Sequence, residues 1–357
     1  MIQATFQPLH RMSSAPLVQR PAAVPASLID PSQWFALQVA ARRNETRDIV
    51  VFDLALADGA TLPAFAAGAH LEVKVGGLIR HYSLCSSPDD RAHFRIAVQR
   101  ETAGRGGSVQ LCDTVGPGDT VEVRGPFNHF ALRLPAAQPP LLLAGGIGVT
   151  PVLCMALELV AAGLDFELHF SGRSLEHMAF LPLLRSGVFG SRVYLYADDG
   201  RGVAPMALPT LLGSGKPGRH LYVCGPGGMI DAADRIARAQ GWAGDHIHFE
   251  RFGAPAMPAS GTATDDQSCE AFEVEIASTG RRIPIAADQS IVTALAAAGV
   301  HIPMSCEVGV CGSCRTRVLA GVPDHRDLLL SPEEQAANNE FTPCCSRSKT
   351  PLLVLDL

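Results

Sequence analysis

The chain has 357 residues, of which 47% are hydrophobic and 18% charged, and a formal net charge of −6 at pH 7. This supports two or three globular domains and excludes wholesale disorder; with no basic run and no interleaving of basic and aromatic residues, a nucleic-acid platform is excluded as well. Apolar stretches such as Pro139 to Ala144 are far too short to span a membrane, and the N-terminus lacks an uninterrupted apolar signal core, so no membrane association and a cytoplasmic location are expected.

Residues 1–32 are rich in Pro, Ala and Ser without a sustained period, which predicts a partly mobile extension. From 33 to 136, β-like runs at Asp48 to Leu54, His70 to Val75, Arg80 to Leu84 and Phe94 to Val98 alternate with Gly, Pro and Asp turns, the pattern of an antiparallel β-barrel. On the strand Arg80-His81-Tyr82-Ser83-Leu84, Arg80 can take a phosphate and Tyr82 can lie against a planar ring. Gly104-Arg105-Gly106-Gly107-Ser108 then opens a short helical run, either an anion cradle or a plain surface turn.

From 137 to 253 the texture changes to apolar strand, glycine turn and helix, which predicts a doubly wound parallel α/β domain. Gly145-Gly146-Ile147-Gly148 leaves one buried strand and enters a helix that Thr150 is expected to cap and Pro151 to begin, so free N–H groups would face a pyrophosphate. Cys224-Gly225-Pro226-Gly227-Gly228 repeats the arrangement after another apolar strand, and two such turns on one sheet edge suit a dinucleotide. The stretch 254–268 has no core-forming period and is read as a linker.

The last segment, 269–357, predicts a small α+β domain carrying Cys306, Cys311, Cys314 and Cys344. Their C-x4-C-x2-C spacing with a distant fourth cysteine is that of plant-type ferredoxins, whose [2Fe–2S] cluster needs four thiolates. Gly309 and Gly312 supply the backbone freedom such a loop demands. A tetrahedral zinc site is the rival, although zinc ribbons pair two C-x2-4-C knuckles and the second knuckle is missing here. The chain has ten cysteines; Cys85, Cys112, Cys154, Cys224 and Cys269 are scattered singly, so no disulfide framework is expected and a reducing compartment suits them.

The order of these motifs, with Phe249-Glu250-Arg251-Phe252 between the second glycine turn and the cysteine loop, resembles the phthalate dioxygenase reductase family, including vanillate demethylase reductases. The resemblance covers about residues 33 to 357 and implies a flavin barrel, an NAD domain and a C-terminal ferredoxin of β-grasp type. It implies FMN and NADH as cofactors and a Rieske-type oxygenase as electron acceptor. Residue by residue, it implies that Arg80, Tyr82 and Ser83 contact the flavin, with Ser83 near its redox-active edge, and that Gly106, Gly107 and Ser108 lie by the FMN phosphate. Gly146, Thr150, Cys224, Gly225 and Pro226 match nicotinamide-side elements, and Phe252 an aromatic covering the flavin–nicotinamide region, so Ser83, Cys224 and Phe252 flank the reacting atoms. His81 receives no role. Between the adjacent Cys344 and Cys345, the family pattern C-x-Ser-Arg selects Cys344 as the ligand. After the second α/β strand, Arg173 can meet either a 2′-phosphate or the diphosphate, while the family favours NADH. The alternatives are a FAD-containing reductase of a di-iron hydroxylase and, more distantly, a non-enzymatic redox sensor or zinc-stabilised interaction protein.

Overall fold

The computed structural model describes residues 29–357 except 105, 135–136, 202–203, 214–216, 253–269, 305–308, 311, 328 and 331. The expected linker, Cys269, Cys306, Cys311 and all but the end of the expected N-terminal extension therefore lie outside the described residues.

Six antiparallel strands build the first unit: β1 (Phe35–Asn44), β2 (Ile49–Ala55), β3 (Ala69–Val75), β4 (Leu78–Ser83), β5 (Phe94–Gln99) and β6 (Thr120–Asn128), in the order β4-β3-β6-β1-β2-β5. A bridge between Leu84 and Ile96 brings the sheet's two edge strands together, closing the curve. Alternate side chains such as Leu37, Val39, Leu71 and Val73 fill the interior, because the strand period of two sends them all to one face. Helix α1 (Gly107–Thr114) adds Leu111 and Cys112 to that core.

The second unit is a five-stranded parallel sheet of β7 (Leu141–Gly145), β8 (Glu167–Gly172), β9 (Val193–Ala197), β10 (Leu221–Gly225) and β11 (Ile247–Arg251), ordered β11-β10-β7-β8-β9. Helices α2 (Val149–Ala161), α3 (Leu181–Leu184), α4 (Leu208–Leu212) and α5 (Gly227–Ala239) accompany it. β7 is wholly buried, as expected of a parallel strand covered on both faces. The strand order reverses between β7 and β10, so both glycine turns leave the sheet at its switch point, where such folds hold ligands. One expectation is corrected here. A 3₁₀ turn at Gly146–Gly148 precedes α2, whose N-cap is Gly148, and the Thr150 hydroxyl instead donates to the Ile147 carbonyl at 3.0 Å. The tight turn puts Thr150 inside the helix, too late in the chain to cap it.

The third unit contains β12 (Phe272–Ile276), β13 (Arg281–Ile285), α6 (Ile291–Ala297), β14 (Thr316–Ala320), β15 (Pro323–Asp324), α7 (Pro332–Ala337), β16 (Glu340–Phe341), β17 (Arg347–Ser348) and β18 (Leu352–Leu355). Its main sheet runs β13-β12-β18-β14-β16, with β12 and β18 parallel and the other pairs antiparallel. Ser290 caps α6 by accepting the Thr293 N–H at 3.3 Å, and the helix drops Ile291 and Leu295 onto Val274, Ile285 and Leu353. The multidomain expectation holds: an antiparallel barrel-like unit, a parallel α/β unit and a mixed β unit. Among the described residues no helix is long and apolar enough to cross a membrane.

Candidate functional site

A cavity of about 410 Å³ opens between the switch point of the α/β sheet and the barrel. The turn Gly145 to Gly148 and the turn Gly225-Pro226 form one wall, while Thr46, Asp48 and Gln99 of the barrel face them. Of the residues singled out from sequence, Gly146, Gly225, Pro226 and Phe252 line this cavity, and Phe252 is 44% exposed. Thr150 and Cys224 do not reach it; both are buried in the wall behind. Burial holds the Cys224 thiol well above its ordinary range, so it stays protonated. The glycines serve different ends. Gly146 has φ +54°, whereas a Cβ on Gly148 would lie 2.3 Å from the Cys224 carbonyl oxygen. Gly148 therefore lets the turn approach strand β10, which draws the two glycine turns together.

On the barrel side, Arg80, Tyr82 and Ser83 end strand β4 beside the start of α1. Gly106 caps that helix at φ +88°, and a Cβ on Gly107 would stand 2.9 Å from Arg80 Nε, so the Arg80 side chain packs against the helix's first turn, where N–H groups have no partner within the helix. The Ser108 hydroxyl accepts the Glu101 N–H at 3.1 Å and closes the loop. The Tyr82 hydroxyl is buried without a hydrogen-bond partner among the described residues, and burial raises its phenol pKa. An orphaned buried hydroxyl beside an anion cradle fits a bound flavin that completes both.

Ser83 donates to Glu250 Oε2 at 3.2 Å, joining the barrel to strand β11. Glu250 lies in register with Cys224 across the β10–β11 pair. Burial pushes its carboxyl up to about 8 despite the opposing Ser83 hydrogen bond, so it is a carboxylic acid near neutral pH. Sequence reasoning assigned Glu250 no role. The available signal was an acidic residue between Phe249 and Phe252 at the end of an apolar strand.

In the third unit Cys314 and Cys344 are buried in one apolar cluster with Val292. Cys345 is half-buried against the same cluster: its Sγ hydrogen-bonds with the Cys344 thiol, lies 3.3 Å from Thr342 Oγ1 and 3.8 Å from Ser346 Oγ, and is the atom nearest to a Cβ placed on Gly309. Gly309 and Gly312 have φ +74° and +77°, and a Cβ on Gly309 would fall 2.8 Å from the Asp327 Cα, so only glycine fits that crossing. Two buried thiols, one of them at the end of a loop with left-handed Gly309 and Gly312, fit a cluster held by thiolates. The cysteine loop also meets the barrel. Ser313 donates to Glu72 Oε1 at 3.0 Å and lies 3.2 Å from His81 Nε2. Burial alone would raise the Glu72 carboxyl, but hydrogen bonds from His81 and Arg124 bring it down to about 2.

Residues 274–349 match the 2Fe-2S iron-sulfur cluster binding domain, and residues 36–132 match the oxidoreductase FAD-binding domain. The chain is 44% identical over 320 residues to the vanillate O-demethylase oxidoreductase of Pseudomonas sp. (strain HR199 / DSM 7063), covering 89% of this chain and 98% of that protein. It is 39% identical over 326 residues to the phthalate dioxygenase reductase of Burkholderia cepacia, covering 91% and 98%. The chain belongs to the phthalate dioxygenase reductase family. A solved phthalate dioxygenase reductase, described as a modular structure for electron transfer from pyridine nucleotides to [2Fe-2S], aligns with a TM-score of 0.66 and 38% identity over 91% of this chain and 98% of that one. This oxygenase reductase is thus an NAD(P)H-dependent oxidoreductase that passes electrons through a flavin and a plant-type [2Fe–2S] cluster. That family membership takes the cysteine loop away from zinc and the chain away from a non-enzymatic sensor.

Proposed function

We propose that this reductase oxidises NADH in preference to NADPH, holds its flavin as FMN, and delivers electrons singly to a Rieske-type oxygenase or demethylase in the cytoplasm. The Ser83–Glu250 hydrogen bond beside the inter-domain cavity carries this reading, because it ties the flavin strand to the α/β edge that would present the nicotinamide. When bound, the flavin takes a hydride and returns single electrons, which the cluster relays. The working units are 33–136 for flavin, 137–253 for nucleotide, 254–268 as linker and 269–357 for the cluster.

Arg80, Tyr82, Ser83, Gly106, Gly107 and Ser108 would hold the flavin. One cradle, built from Arg80 and the α1 N-terminus, suits a single terminal phosphate, which favours FMN over FAD. Gly146, Gly225 and Pro226 would carry the nucleotide at the sheet edge; Thr150 and Cys224 would act from behind by setting the shape of that wall. Phe252 would lie over the flavin–nicotinamide region and exclude water, while Ser83 and the protonated Glu250 would orient the reacting edge. Cys306, Cys311, Cys314 and Cys344 would ligate the cluster. Asp198 lines the same cavity as Arg173, and its carboxylate would disfavour a 2′-phosphate.

The test is to release and identify the flavin from purified holoenzyme and to compare kcat/KM for the two nucleotides. FMN, with at least about a tenfold NADH preference, is expected, one charge-assisted contact separating the two substrates. Released FAD would favour the di-iron hydroxylase alternative, and a preference for NADPH would overturn the nucleotide assignment. Reduction of a purified Rieske oxygenase under NADH tests the acceptor.

A further inference from the structure

Three strands of the barrel carry a row of polar side chains apart from those assigned to the flavin. His81 on β4 pairs in register with Glu72 on β3, which pairs with Arg124 on β6. Glu72 is only 4% exposed, and Arg124 binds its Oε2 through both Nε, at 2.8 Å, and Nη2. A buried carboxylate so held on one side still has its other oxygen to satisfy. Ser313 satisfies it, arriving from the cysteine loop 241 positions later in the chain.

The protons on this contact can be assigned. A hydroxyl has one proton, and Glu72 as a carboxylate can only accept, so Ser313 gives its proton to Glu72 Oε1. His81 Nε2, at 3.2 Å from Ser313 Oγ and 3.3 Å from Glu72 Oε1, must then carry hydrogen and donate. His70 stacks on His81 with ring centroids 4.7 Å apart and fixes its plane. The neighbouring Gly312 brings the loop backbone close enough for an added Cβ to lie 3.8 Å from His129 Nε2.

We propose that Glu72, His81 and Ser313 form a clip that docks the cluster loop on the flavin strand and sets the gap across which electrons leave the flavin. The inference rests on the functional reading above. Its force lies in chain position: His81 sits between Arg80 and Tyr82, and Ser313 immediately precedes Cys314. A hydrogen bond between them therefore joins residues that are sequence neighbours of the flavin strand's Arg80 and Tyr82 and of Cys314. Each electron crossing this gap would oxidise the flavin by one electron, with any accompanying proton leaving to solvent, and reduce one ferric ion of the cluster to ferrous. NADH supplies the electrons. The three residues are positioning residues and touch no substrate.

Rapid mixing of holoenzyme with NADH, on preparations matched in iron content, separates flavin reduction from cluster reduction. Hydrogen–deuterium exchange at 312–316 and 78–83 reports docking independently of activity. In Ser313→Ala, flavin reduction is expected to keep its wild-type rate while cluster reduction slows about tenfold and exchange in both segments quickens, the size of one lost charge-assisted hydrogen bond. Ser313→Thr, which keeps the hydroxyl, restores both. His81→Ala, distant in sequence from the cysteines, reproduces the loss, and the double variant adds little to either single one. Unchanged cluster reduction and exchange in Ser313→Ala, or fully additive effects in the double variant, would overturn the clip. A wild-type cluster that stays oxidised after its flavin is reduced would instead overturn the functional reading.

Discussion

Ser83 and Glu250 come from different domains, 167 positions apart, and meet at 3.2 Å beside the cavity between them. The serine sits at the end of a flavin-type strand and the carboxylic acid at the end of β11, so their contact spans the place where the two redox partners are brought together.

The raised Glu250 carboxyl makes a pH prediction. Its ordinary value is 4.5 and its folded value about 8. Between those values the unfolded chain has released the proton and the folded one retains it, so this residue's contribution makes stability fall as pH rises from about 4.5 to 8. Glu250→Gln should flatten that fall and be the more stable protein above pH 8, as measured by urea unfolding of the two proteins across the window. Parallel pH profiles would show that Glu250 titrates normally.

Tyr82→Phe removes a hydroxyl that has no partner among the described residues. The apoprotein's thermal midpoint should hold or rise, while flavin affinity drops about tenfold for the lost hydrogen bond, read by fluorescence titration. A variant that loses stability yet binds flavin as before would remove Tyr82 from the site.

Two glycines of one turn should respond differently. Gly148→Ala drives a methyl into the Cys224 carbonyl and should cost about 1–3 kcal/mol by overpacking. Gly146→Ala meets no atom within 4 Å and carries only the left-handed backbone penalty of about 1–2 kcal/mol. The distinguishing measurement is unfolding together with NADH binding: Gly148→Ala should lower both, since it pushes apart the two turns that line the nucleotide wall.

The adjacent cysteines separate by metal content. Cys345→Ala should retain about two irons per chain and the visible spectrum of a [2Fe–2S] protein, whereas Cys344→Ala should lose them. Both thiols pack near Cys314, but Cys344 is the more deeply buried, while Cys345 Sγ is also held by the Thr342 and Ser346 hydroxyls, and this difference favours the order. The reverse result would move the fourth ligand by one residue.

Much was legible in the residues themselves. The C-x4-C-x2-C spacing, the two glycine turns after apolar strands and the Arg-x-Tyr-Ser strand are local patterns, in which the chemistry needs particular side chains at short, fixed separations. The strands β2 to β5 announced themselves by β-branched and aromatic residues, while β1 and β6 were not singled out, since polar residues on their outer faces dilute the alternation. Thr150 looked like a cap because a cap is read from neighbours in sequence; the preceding 3₁₀ turn displaced it.

What sequence alone determined, then, was the kinds of cofactor the chain is built for, a flavin, a pyridine nucleotide and an iron–sulfur cluster, because the motifs that point to them are short and local. Only the tertiary structure decided which motifs face one another. The acid state of Glu250, the orphaned hydroxyl of Tyr82 and the meeting of Ser313 with Glu72 and His81 all arise from burial and from contacts between residues far apart in the chain. Desolvation and hydrogen bonding act through space, and no local pattern of residues records them.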